Sequence, residues 1–123
     1  WNAKCDATLV GQLAVEKAAG NQTDNAGWHA SAWTVAVAVL AGSEKKSGGS
    51  AKMADVCLSR WGMLKAQYAL VKSLREKSGW GWNDEEKHIA IEDSVWDVYL
   101  RVSPSLHPWH HRGFLLFDKM ADL

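Results

Sequence analysis

Cys57-Leu58-Ser59-Arg60-Trp61-Gly62-Met63-Leu64-Lys65 is the centre of a longer stretch, Lys52 to Lys77, whose reading decides the fold. Cys57, Trp61, Leu64, Tyr68 and Val71 step by 4, 3, 4 and 3, which lines them along one face of a helix turning about 100° per residue. The opposite face of its first half collects Lys52, Asp55, Ser59, Gly62 and Ala66, with Arg60 and Lys65 on the flanks. Small residues on that face let another body approach closely. In the second half Leu70 and Leu74 widen the apolar arc, so that end needs a cover.

Two further helices are expected upstream. Trp1, Cys5, Leu9 and Leu13 recur every four residues, with Val10 and Ala14 beside them, and the pattern stops at Gly20 before the polar turn Asn21-Gln22-Thr23-Asp24-Asn25. Between Trp28 and Leu40 the signals compete. Trp33, Ala36, Val37 and Leu40 fit a helix, whereas Val35, Val37 and Val39 alternate as in a strand. Alanines at 30, 32, 36, 38 and 41 favour the helix. Gly42-Ser43-Glu44-Lys45-Lys46-Ser47-Gly48-Gly49-Ser50 then reads as a flexible linker.

Downstream, Ser78-Gly79-Trp80-Gly81-Trp82-Asn83-Asp84-Glu85-Glu86 turns from aromatic to acidic within nine residues. A fourth helix starts at Glu92 or Asp93, where acids suit a helix N-terminus, and runs through Leu100. Pro104 and Pro108 break the chain before a last short helix near Leu115 to Met120. The cover for Leu70 and Leu74 is expected from this region's Trp80, Trp82, Trp96, Trp109, Phe114 and Phe117. Large rings are costly to leave in water, so the eight tryptophans are read as core and not as stacking platforms.

Length and composition bound the rest. A chain of 123 residues with 47% hydrophobic and 23% charged content is expected to fold as one cooperative domain, with a core over 1–77 and a C-terminal extension, 78–123, packed on it. The first residue is Trp1 and not Met, so an excised piece is expected. Cys5 and Cys57 are too few for a disulfide framework and fall on apolar helical faces, as reduced core cysteines of an intracellular protein do. No apolar run approaches the roughly 20 residues of a membrane span, so no membrane partner is expected. The net charge of zero hides an asymmetry. Residues 45–82 carry eight basic groups against two acids, and residues 83–99 carry one against six. A basic segment of net +6 builds a local field for an anionic partner.

These motifs together resemble the Myb/SANT-like DNA-binding domain family. The resemblance is carried by Trp1 with Asp6, by Trp33, by Cys57 to Lys65 against a pattern of x-L-x-x-[RK]-[WY]-x-x-L-K, and by Ser78-Gly79-Trp80-Gly81-Trp82. It continues through Val95-Trp96-Asp97-Val98-Tyr99 and Pro104 to His111 through Met120. The resemblance implies an all-α fold, a three-helix Myb core of the helix-turn-helix kind with a Trp-rich extension, in a nuclear, transcription-regulatory or transposon-derived protein of plants or fungi. It implies double-stranded DNA as partner, with the start and exposed face of the third helix toward the major groove. On that reading Lys45, Lys46, Lys52, Arg60 and Lys65 form a positive track along the phosphates, and Ser59 lies over the groove. SANT-type relatives bind proteins instead. The small face of Ser59, Gly62 and Ala66, with Asp55 in its midst, suits that alternative equally.

Other chemistries find little footing. His107, His110 and His111 crowd into one loop, but neither cysteine is near in sequence to complete a zinc set, so no metal and no cofactor are expected. The acidic run at Asp84 to Glu86 is read as a solvated turn. No Gly-x-Ser-x-Gly elbow, P-loop or His-Glu-x-x-His helix is present, and Cys57 lies on an apolar face where thiolate is disfavoured, so no enzymatic activity is expected.

Overall fold

Asn2 opens the first helix by accepting the backbone N–H of Cys5 on its side-chain oxygen at 2.8 Å, which satisfies one of the amides a helix start leaves unpaired. This helix, α1 (Ala3–Ala18), buries Cys5, Leu9, Val10 and Leu13, the expected apolar stripe. Helix α2 (Ala30–Leu40) begins two residues after Trp28 and packs on α1. Its buried positions Ala32, Trp33, Ala36 and Leu40 have helical spacing, while Val35 and Val39 face water. The alanines therefore prevailed over the alternating valines.

The computed structural model describes residues 1–22, 28–49, 51–77, 80–109 and 112–123, the side chains of Ser47, Ser105 and His107 excepted. Thr23, Asp24 and Asn25 of the expected turn, together with Ser78, Gly79, His110 and His111, lie outside the described residues. No helix among the described residues is long and apolar enough to cross a membrane.

The glycine-rich linker is not wholly irregular. It contains the short helix α3 (Glu44–Ser47), set between Gly42 at φ +80° and Gly48 at φ +78°. The long helix α4 (Ala54–Arg75) follows and buries Cys57, Trp61, Leu64, Val71 and Leu74, with Tyr68 half-buried. Lys52 precedes α4 instead of standing on its exposed face.

The chain packs as two compact units, residues 1–65 with 118–123, and residues 66–117. The sequence-based division after Lys77 falls within the second unit. In the first, Trp61 meets Trp28 edge-on at 6.3 Å between ring centroids, and Gln22 and Trp28 form an isolated antiparallel bridge. Lys17 donates to the carbonyl of Asp122, and Gln22 donates to that of Leu123 at 3.1 Å, which fixes the last residues on this unit.

The second unit corrects the all-α expectation. Strands β1 (Gly81–Asn83) and β2 (His88–Ala90) pair antiparallel, with Trp82 opposite Ile89. The whole is thus mostly helical, with six α-helices and one small two-stranded sheet among the described residues. The reason is local. Asn83 accepts the backbone N–H groups of Glu85 and Glu86 on Oδ1 at 3.1 and 3.0 Å, which closes the acidic run into a hairpin turn. Lys87, at φ +53°, reaches Asp84 at 2.9 Å, and its hydrogen bond and charge hold that carboxyl below the usual carboxylate range. Only glycine fits at 81, since a Cβ there would lie 2.4 Å from the carbonyl oxygen of Ala90.

Aromatic rings fill this unit. Trp96, 1% exposed, lies on α5 (Asp93–Val102) and meets Trp80 edge-on at 5.3 Å. Trp80 in turn meets Tyr99 at 4.8 Å. Phe117 touches Trp82 at 5.1 Å and Tyr68 at 5.0 Å, with the Arg75 guanidinium above Phe117 and Trp82 at 5.0 Å from each. Glu92 caps α5 through its backbone carbonyl alone. A 3-10 turn (Pro104–Trp109) follows, where Pro108 lacks the N–H a regular helix would need there, and α6 (Phe117–Ala121) ends the elements.

Candidate nucleic-acid interface

Asp6 and Arg60 are the best-defined charged pair of the first unit. Asp6 lies in the first turn of α1, where a carboxylate is favoured by the helix dipole. Arg60, on α4, donates from Nε to Oδ1 at 2.8 Å and from Nη2 to Oδ2 at 2.7 Å, a two-pronged grip with both side chains mostly shielded from water. The hydrogen bond to Asp6 raises the guanidinium pKa further above its already high value, against the opposing effect of burial. The guanidinium carbon also lies 5.8 Å from the ring centre of Trp1.

Lys52 completes this cluster. Its Nζ is 5.2 Å from the centre of the same indole and donates to Ser43 Oγ at 2.9 Å, and the residue is only 5% exposed. Trp1, expected as a core residue, is instead half-buried with two cations over its ring. Lys52, read from the sequence as the one cation on the open face of the helix, is thereby corrected to a buried residue joined to Ser43.

The remaining sequence-predicted residues are accessible. Lys45 and Lys46 are exposed on α3. Lys65 is exposed on α4, with its ammonium 5.8 Å from the centre of the Trp61 ring. Ser59 is exposed and borders a shallow groove with Trp1, Asp55, Val56, Arg60 and Met63. The structure thus brings Lys52 and Arg60 together at Trp1 and leaves Lys45, Lys46 and Lys65 for outside partners. Gly62 and Ala66 are exposed as expected, and a Cβ on Gly62 would meet nothing within 4 Å. Exposed Val56, Leu58 and Met63 add apolar surface that the small-residue reading missed, although a helical wheel sets Val56 and Met63 next to Ser59.

Other candidate chemistry is thinly represented. Burial pushes the Cys57 thiol up, which keeps it protonated at neutral pH. Among the described residues no three His, Cys, Asp or Glu side chains come together as a metal set. His107, His110 and His111 fall outside that statement, since their side chains are not described. His88 lies between Glu86, at 2.8 Å, and the carbonyl of Ile89, at 2.9 Å.

Comparison with known proteins gives one match. No curated protein and no solved structure matches the chain. The profile of the Myb/SANT-like DNA-binding domain matches residues 1–99, so it spans α1 to Tyr99 on α5 and stops short of the Pro104 and His111 to Met120 elements. This is a family of DNA-binding domains and not one of enzymes. With four-fifths of its length under that profile, the chain belongs to the Myb/SANT-like DNA-binding domain family.

Proposed function

We propose that the chain binds double-stranded DNA as a helix-turn-helix module of α1, α2 and α4, with α4 entering the major groove and α3 beside the phosphates. Membership of a DNA-binding domain family carries this reading. With Lys52 and Arg60 committed to Ser43, Asp6 and Trp1, phosphate contact falls to Lys45, Lys46 and Lys65. Ser59 is the group offered to base edges. The chain then works in the nucleus, within a transcription-regulatory or transposon-derived protein, and catalyses no reaction.

A salt-dependent gel shift tests it. The wild-type chain is expected to shift duplexes at low micromolar concentration in moderate salt. Lys45→Ala with Lys65→Ala weakens all sequences together and lowers the salt slope by about one per lost phosphate contact, whereas Ser59→Ala changes the preference between sequences. A wild-type chain that shifts no duplex would end the DNA reading.

A second reading, a SANT-type protein-interaction surface, is favoured by one observation: exposed Val56, Leu58 and Met63 surround Ser59 and Gly62 on α4. Because a Cβ at Gly62 meets open space, Gly62→Ala is expected to raise stability by about 0.5–1 kcal/mol, the helix-propensity gain of alanine over glycine. Thermal melting checks that sign. Gly62→Trp should fold as well, and loss of a captured protein with unchanged duplex binding would select this second reading.

A further inference from the structure

We infer that the cleft between the start of α1 and the turn joining α2 to α3 holds one backbone phosphate of the bound duplex, an inference that rests on the DNA-binding reading above. Asn2, Lys4 and Thr8 wall it from α1, and Gly42, Ser43 and Lys46 wall it from the turn and α3. Its volume of about 230 Å³ is several times the roughly 30 Å³ share of one liquid water, so a tetrahedral oxyanion fits.

Charge gives the cleft its preference. Lys4 and Lys46 are both exposed at its walls, and no carboxylate is among the described lining residues. A third ammonium stands behind them, because Lys52 Nζ donates to the lining oxygen Ser43 Oγ at 2.9 Å while the rest of Lys52 is buried. Glu44, the acid next in sequence, is half-buried and does not line the cleft. Two exposed cations reaching one concavity from α1 and α3, with the buried Lys52 ammonium behind the lining Ser43, suit a ligand with several acceptor oxygens and a full negative charge. Lysines bind phosphate in this way, as point charges approaching from separate directions. Lys4 stands far from the Lys45 to Lys65 run in sequence, and only the packing of α1 against α2 brings it to Lys46.

The test pairs duplex binding with inorganic phosphate. Lys4→Ala with Lys46→Ala is expected to weaken every duplex about eightfold near 0.1 M salt and to lower the salt slope by about one for the pair, since both lysines serve a single phosphate. Exposed Lys119, replaced by Ala, is the control for loss of general positive charge and should change neither quantity. In nuclear magnetic resonance spectra, inorganic phosphate should shift the Thr8 and Gly42 amides of the wild type and not those of the double variant. If the wild type binds duplex and the double variant matches it, the cleft is overturned while the DNA reading stands. A slope loss of about two assigns each lysine its own phosphate and overturns the shared pocket. If the wild type binds no duplex, the DNA reading fails by itself. The phosphate spectra then decide the cleft: shifts confined to it support an oxyanion site served by free phosphate, and their absence overturns it.

Discussion

Trp61→Ala is expected to lose about 3–5 kcal/mol of folding stability, the range for removing a large buried ring from a packed core. Trp61 is 5% exposed, its ring meets Trp28 edge-on at 6.3 Å, and Cys57 and Leu64 are buried on the same face of α4. The void would open beside the Trp28 ring and the buried side chains of that same face. A domain of this size is stabilised by only about 5–15 kcal/mol in all, so the variant should melt far below the parent or arrive unfolded. Trp61→Phe retains an aromatic ring and should lose much less. Urea unfolding of both variants makes the check, and a Trp61→Ala midpoint equal to the parent's would remove Trp61 from the core.

Asp6→Ala is expected to cost about 3 kcal/mol, the lower end for breaking a buried ion pair by removing one partner. The lower end applies because the Arg60 side chain keeps 19% of its surface in water and can recover part of its solvation. Two charge-assisted hydrogen bonds are lost together, and the guanidinium is left with the Trp1 ring and a weak hydrogen bond to the Met63 sulfur at 3.7 Å. Asp6→Asn, which can still accept one of those bonds, should lose less. Equilibrium unfolding in urea at neutral pH ranks the two, and an Asp6→Ala variant as stable as the parent would mean that the pair contributes nothing net. The same geometry bears on function. Arg60→Ala removes a fold contact as well as a cation, so its effect on duplex binding is meaningful only at a temperature where the variant remains folded.

The helices were legible in the sequence because their signals are local. A 4-3-4-3 spacing of apolar residues and an alanine-rich segment describe α4 and α2 without reference to anything distant. The hairpin was not legible. Its strands are three residues each, too short for a period-two pattern, and its turn is held by Asn83 and by the close approach of Gly81 to Ala90. Nor did α3 stand out, since four residues between glycines have the composition of a linker.

The candidate interface divides along the same line. Which residue types cluster, and the net +6 of residues 45–82, follow from the sequence by itself, as does membership of a DNA-binding domain family over residues 1–99. Which of those cations stay available was decided by tertiary structure alone. Asp6 is 54 positions from Arg60, and Ser43 is nine from Lys52, yet each engages its partner's charged group. A helical wheel places charges around one axis but carries no information on the acceptors a neighbouring element will bring. Lys4 was overlooked for the converse reason. Nothing in its surroundings along the chain marks it, and only the fold sets it across a cleft from Lys46. Charge is a property of composition, whereas its availability depends on burial and pairing, which are fixed only when distant segments meet.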